Sequence, residues 1–219
     1  MSGVSQVIFM NQRSFGLVIG QAYEGGFFAG QISTTADGVA THNLVIGPLS
    51  TAQSGNIQWK NANTTATGAD SYINGPQNTA DMVAGGSSTV YPAAHFCNDL
   101  SIGGQTDWYM PARNELEVCY FNLKPTTTSN DTGSGINANA VPARASNYTA
   151  GNPAQTSATA FQSGGAEAFA AGTIRYWSST EAFGTTSAFT QYFNNGFQRD
   201  SPKSDSSSYR VRAIRRVAV

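Results

Sequence analysis

The sequence predicts an α+β fold: two short helices, an antiparallel sheet and long irregular loops, preceded by an N-terminal β segment. Three observations carry this prediction. Apolar residues recur at helical spacing around residues 92–100 and 111–123. Short apolar runs punctuated by Gly, Asp and Asn occupy both ends of the chain. The remainder is rich in Ser, Thr, Asn and Gly, and only 11% of residues are charged, against about 25% in an average soluble protein. With 40% apolar and 11% aromatic residues, the chain still buries a substantial core.

The 219 residues divide into an arm, residues 1–13, an N-terminal β segment, 14–62, integrated with the body, and a main domain, 63–219, that holds a long polar loop at 125–172. The arm has one apolar cluster, Val7-Ile8-Phe9-Met10, and two readings stay open: an attachment or trimerisation strand, or a frayed terminus. Leu17-Val18-Ile19, Phe27-Phe28-Ala29 and Leu44-Val45-Ile46 predict two or three antiparallel strands ending near Gly47-Pro48. Gly25-Gly26 and Asp37-Gly38 sit where tight turns need positive φ.

The first helix runs from Pro92 along Ala93, Phe96, Cys97 and Leu100 to Gly103-Gly104. The second opens at Pro111, places Glu115 and Glu117 at its positive end, repeats Leu116, Cys119, Tyr120 and Leu123, and closes at Pro125. Both cysteines fall on apolar helix faces and read as buried hydrophobes. The 125–172 loop has Ile136, Val141, Tyr148, Phe161 and Phe169 as its apolar anchors. Strands return at Tyr176–Thr180 and Ala188–Phe193, Asn194-Asn195-Gly196 marks a hairpin, and Tyr209–Val217 finishes the sheet.

Composition excludes several function classes. A net charge of −1 leaves no electrostatic footprint for nucleic acid. No apolar run approaches the ~18 residues of a membrane-spanning helix, and residues 1–13 lack a secretory pattern, so synthesis in a cytoplasm without membrane insertion is expected. His42 and His95 belong to no ligand cluster, so no metal or cofactor is expected. No nucleophile or phosphate-binding motif is present. Asp200 and Asp205 flank Lys203, either as an ion-paired surface or in touch with a ligand, and nothing singles them out as a glycosidase pair. The chain is expected not to be an enzyme.

Three further segments draw attention. Trp177 is expected in the core with its indole N–H on a backbone oxygen, and Ser178, Ser179 and Thr180 on neighbouring loops. Arg210, Arg212, Arg215 and Arg216 are expected to stabilise the fold through loop carbonyls or ion pairs with Glu181 and similar residues. Between these segments, residues 182–209 mix aromatic and small polar groups, as binding surfaces do. The ligand-binding candidates there are Phe183, Thr185, Phe189, Gln191, Phe193, Asn195, Phe197, Arg199, Asp200, Lys203, Asp205 and Tyr209, with about half of the segment's aromatics expected to be core instead.

Asp107-Trp108-Tyr109-Met110-Pro111-Ala112-Arg113-Asn114-Glu115-Leu116, Tyr176-Trp177-Ser178-Ser179-Thr180-Glu181 and the closing arginines together resemble the Lcl-type C-terminal domain family over residues 90–217. Tyr109 and Met110 depart from the family's usual D-W-R-L-P stretch. The resemblance implies a C-type-lectin-like fold and a bacteriophage virion protein, a tail-fibre or appendage module that binds a host-surface receptor, glycan or protein. The implied partners are other virion proteins and further copies of the chain, a trimer being customary for fibres. The alternative is a capsid decoration or tail-assembly protein whose lectin-like domain only packs against neighbours. The calcium-binding Glu-Pro-Asn and Trp-Asn-Asp motifs of sugar-binding lectins are absent, so calcium-dependent binding is not implied. Formylglycine-generating activity is not implied either, because Cys97 and Cys119 lie on helices.

Overall fold

The computed structural model describes residues 16–219, so the arm at 1–13 lies outside the described residues. It is a mixed α/β fold with two five-stranded sheets and, among the described residues, four helices. The first sheet runs β1 (Ala22–Tyr23), β2 (Gly26–Ile32), β3 (His42–Ile46), β10 (Ile214–Ala218), with β5 (Ala140–Val141) also pairing β2. The second runs β4 (Gln53–Gly55), β9 (Tyr209–Arg212), β6 (Arg175–Glu181), β7 (Ser187–Tyr192), β8 (Gln198–Pro202).

Local chemistry accounts for much of this. Glu24 (φ 48°) and Gly25 (φ 84°) are the two central residues joining β1 to β2, one position earlier than the predicted Gly25-Gly26 turn. Leu17–Ile19 forms no strand; the chain turns there instead. β2 bulges between Phe28 and Gly30, where a side chain on Gly30 would collide with the Asn122 amide at 2.3 Å. That amide donates to the Ala29 carbonyl at 2.9 Å and anchors α4 (Arg113–Leu123) against the sheet.

Two helices were expected and four form. α3 (Pro92–Asn98) and α4 match the expectation, although α4 begins at Arg113, after Pro111. α1 (Leu49–Ala52) is a single turn. α2 (Gly75–Gly85) buries Gly75, Asn78, Thr79 and Met82 at helical spacing, and of these four only Met82 is a large apolar side chain. Its polar face is buried because it is hydrogen-bonded: Asn78 bridges Ser71 and Ser179, and the Thr79 hydroxyl accepts from the Met110 amide at 3.1 Å.

The expected single antiparallel sheet is two sheets, and β6 pairs β9 in parallel. The terminal run 209–217 does not belong to one sheet. Arg212 pairs Gln53 in the second sheet, and two residues later Ile214 pairs Ile46 in the first. Ala213 makes the crossing, its N–H on Ala52 and its carbonyl on Gly47.

The second sheet is covered on both faces. One face and the first sheet enclose Leu44, Leu116, Cys119, Tyr120, Leu123, Phe161, Phe169, Tyr176 and Phe193. The other packs Trp177, Tyr209 and Val211 against Trp59, Met82, Tyr91, Cys97, Trp108 and Met110. Trp177 stacks on Tyr209 at 4.5 Å and donates to Ile57 at 2.9 Å, as expected of a core indole with a backbone partner. Ser178, Ser179 and Thr180 bond to Phe189, Asn78, Ser71 and Arg113. Cys97 and Cys119 are free and buried.

Charged residues are used inside. Glu115 and Glu117 are fully buried, so the helix dipole alone does not explain them. Glu115 accepts from Ala112 N–H, Tyr109 hydroxyl and Arg216, and Glu117 from Arg144, Asn137 and Tyr148. The closing arginines stabilise the fold, but through other carboxylates than Glu181: Arg212 pairs Glu167, Arg215 pairs Asp107, and Arg216 pairs Glu115. The long loop is pinned by Tyr148, Phe161 and Phe169, whereas Ile136 is exposed. A buried Lys124–Asn130 contact of 2.7 Å ties its start.

Candidate ligand-binding surface

The turn from β6 to β7 carries a phenylalanine into solvent. Ala182 N–H bonds the Ser187 carbonyl at 2.9 Å, and Gly184 (φ 87°) and Thr185 (φ 65°) reverse the chain. Phe183 at the tip is 85% exposed, although its ring meets Phe189 edge-on at 6.2 Å. Phe189 in turn meets Tyr72 edge-on at 5.5 Å. The Arg113 guanidinium covers both rings, 4.9 Å from Phe189 and 5.2 Å from Tyr72, and donates to Gln198 at 3.3 Å. Beside Phe183 opens a cavity of about 440 Å³ lined by Asp70, Tyr72, Glu181, Ala182, Phe183 and Thr185.

The turn is held from beneath by a buried lysine. Lys203 is fully enclosed and pairs with Glu181, while also donating to the carbonyls of Thr64 and Thr185. Burial lowers its pKa and the Glu181 carboxylate opposes that shift. Glu181 also accepts the Ala66 N–H at 3.1 Å, so one ion pair joins the turn, β6 and the 64–66 segment. Lys203 therefore does not pair with Asp200 or Asp205. Asp200 is exposed on β8, and Asp205 accepts from the Tyr209 hydroxyl at 3.2 Å.

The twelve sequence candidates separate by burial and by place. Gln191, Phe193 and Lys203 are buried away from a surface ligand, and Tyr209 is buried except where it borders a cavity beside Arg175. They alternate into the interior because the second sheet is covered on both faces. Phe183, Thr185, Phe189 and Asp200 lie towards the β6–β7 turn, Asp200 pairing across from Phe189. Asn195 and Phe197 lie at the β7–β8 hairpin, Arg199 follows on β8, and Asp205 sits in the loop before β9.

Near that second group, Arg175 stands between Tyr192 and Tyr209, 5.1 Å from each ring, and donates to both hydroxyls. A cavity of about 430 Å³ there is lined by Arg175, three serines, Asp205 and Tyr209. Phe197 stacks on Tyr192 at 6.1 Å and is less exposed than Phe183, at 38%.

Asp70, Tyr72 and Arg113 were not among the candidates. The first two lie in a loop without a pattern of its own, and Arg113 reads as a helix start. Only the packing of that loop on α4 and β7 brings Asp70 and Tyr72 to the cavity beside Phe183 and Arg113 onto Tyr72 and Phe189. A smaller cavity of about 260 Å³ adjoins Asp107, Trp108 and Arg216, whose charges are already paired with Arg215 and Glu115. Among the described residues, no group of three or more His, Cys, Asp or Glu is placed to hold a metal, and no helix is long and apolar enough to cross a membrane.

Residues 50–215 match the family model of the Lcl C-terminal domain, a longer span than the 90–217 over which the sequence motifs carry the resemblance. Among curated proteins, no match to the chain is found.

Proposed function

The chain belongs to the Lcl C-terminal domain family, and from that premise we propose that it is a bacteriophage virion structural protein, a tail-fibre or appendage module of C-type-lectin-like fold that binds a host-surface receptor without catalysis. The observation that supports this reading best is Phe183, a large ring held 85% exposed at the tip of a well-bonded turn beside a cavity. A phenylalanine left in water forgoes about 1.5–3 kcal/mol of burial, and such rings are the anchors of recognition surfaces. In this reading the module acts in the virion, as a homo-oligomer seated on other virion proteins. Modest affinity per site is multiplied by the number of copies.

The test is adsorption of the recombinant chain, presented as a multimer, to candidate host cells with and without calcium and chelator. Saturable adsorption that ignores the chelator and drops in Phe183→Ala is the expected result. A folded multimer that adsorbs to no candidate cell overturns the receptor reading and favours a module that only packs against virion neighbours.

A further inference from the structure

We propose that Lys124 and Asn130 are the two halves of an intramolecular cross-link, an amide bond formed between Nζ and Cγ with loss of ammonia. The bond closes residues 124–130 into a ring where the long polar loop leaves α4. The proposal goes beyond the receptor-binding reading and does not depend on it.

Lys124 has the position of a nucleophile. It is 2% exposed and, among the described residues, pairs with no carboxylate. Its Nζ donates to the Thr128 carbonyl at 2.5 Å, to Asn130 Oδ1 at 2.7 Å and to the Pro153 carbonyl at 3.2 Å. Burial lowers its pKa, which favours the neutral, nucleophilic amine. A C=O bond is about 1.23 Å long, so Asn130 Cγ lies within about 3.9 Å of Nζ, close to the distance of attack.

Asn130 is polarised as the electrophile. Its Oδ1 accepts from the Tyr120 hydroxyl at 2.6 Å as well as from Lys124. Burial and the Asp131 charge raise the pKa of Tyr120, so this hydroxyl stays protonated and stabilises the negative oxygen that develops on attack. The Pro153 carbonyl accepts from both nitrogens, at 2.9 Å from Asn130 Nδ2 and 3.2 Å from Lys124 Nζ. One oxygen thus holds the attacking and the leaving nitrogen side by side.

The step balances without a further reagent. Lys124 releases a proton, and the Nζ lone pair forms the bond to Cγ. One Nζ proton passes to Nδ2, the C–Nδ2 electron pair leaves with that nitrogen, and ammonia departs. Ammonia takes up a proton in place of the one released, so an amide and an ammonium ion replace an ammonium group and a carboxamide. The product suits the enclosed site, because a buried charge without a counter-charge is removed. Nδ2 also donates to the Thr149 and Ala150 carbonyls, but these keep the N–H groups of Asn152 and Asn130. Thr128 is exposed, so water replaces the lysine on its carbonyl. The ring then braces the β7–β8 hairpin, to which Thr126 and Asp131 bond through the Asn194 and Asn195 carbonyls.

Intact-mass spectrometry of the folded, full-length chain, followed over time, reads the reaction. The chain is expected to become lighter by one ammonia, with the loss confined to the tryptic fragment 114–144, in which Pro125 shields Lys124 from cleavage. Backbone fragmentation between residues 124 and 130 then separates no ions, and Lys124 resists an amine-reactive reagent after denaturation. Lys124→Arg keeps its full mass, and Tyr120→Phe slows the loss roughly a hundredfold.

The assignment is overturned if the folded, unaltered chain keeps its full mass and a reactive Lys124 after prolonged incubation. It is overturned equally if ammonia is lost while Lys124 still labels in the denatured chain, because Asn130 has then cyclised on its own backbone. Loss at an unchanged rate in Tyr120→Phe overturns the part given to that hydroxyl and leaves the bond itself standing.

Discussion

Arg212 on β9 and Glu167 in the long polar loop form a buried ion pair, Nη2 lying 2.6 Å from Oε2. The guanidinium also donates to the carbonyls of Gly47 and Glu167, and rests on the rings of Phe161 and Phe169. Glu167 in addition accepts the Leu49 N–H at 2.7 Å. One pair therefore joins the second sheet, the loop and the turn leaving β3, and a charged residue of the long polar loop is tied into the core.

Removing one partner of that pair leaves the other charged and enclosed. Glu167→Ala is expected to cost about 3–5 kcal/mol, and Arg212→Met less, because methionine fills apolar space without stranding a charge. Equilibrium unfolding in urea measures both. Equal losses for the two variants contradict the stranded-charge account.

Phe183 and Phe193 are ten residues apart in sequence and opposite in exposure, at 85% and 0%. Phe193 stacks on Phe169 at 3.7 Å inside the core. Phe193→Ala is expected to cost about 3–5 kcal/mol, whereas Phe183→Ala stays within about 0.5 kcal/mol of the unaltered chain. Chemical denaturation of the two variants separates a fold residue from a surface one. A large stability loss at Phe183 argues that the ring is covered within the protein.

Burial pushes both thiols up, and at Cys119 the nearby Glu115 adds to the effect. Near pH 8, where an ordinary thiol is close to its pKa of about 8.5, neither cysteine of the folded chain is expected to react with an alkylating reagent. Both label after denaturation. Mass spectrometry of native and unfolded samples decides it, and rapid native labelling of either cysteine contradicts its enclosure.

His42 is held below its ordinary value, first by burial and then by Arg216. The unfolded chain binds this proton more readily, so stability is greater above the unfolded pKa of about 6.5 and falls as pH drops from there towards the folded value. The urea midpoint is expected to decline across that window, and His42→Gln is expected to flatten the decline. An unchanged slope in the variant assigns the pH dependence to other groups.

The legible parts of this protein are those where local pattern and tertiary environment agree. α3 and α4 follow from Ala93, Cys97, Leu116, Cys119 and Leu123 because those side chains are apolar and face the core at helical spacing. The Asn194-Asn195-Gly196 hairpin follows from turn chemistry, since Gly196 takes φ 77°. α2 escapes detection because Asn78 and Thr79 fill its buried face, and only Ser71, Ser179 and Met110 make that burial favourable. The site divides in the same way. Phe183 and Thr185 are visible as an aromatic beside a small polar group, whereas nothing near Asp70, Tyr72 or Arg113 points to Phe183.

By itself the sequence determined the mixed α/β class, the cores of two helices, the β6–β7–β8 run and the enclosed places of Trp177 and both cysteines, because each depends on spacing or on a residue's own preference for burial. Only the tertiary structure decided that residues 209–218 cross from one sheet to the other at Ala213, that Glu115 and Glu117 lie inside, and that Lys203 serves the turn from beneath instead of facing a ligand. Glu115 is held by Arg216, 101 residues away, Glu117 by Arg144, 27 residues away, and Lys203 by Glu181, 22 residues away. A charged side chain enters a core only where such a partner awaits it, and its own neighbours in sequence carry no record of that partner.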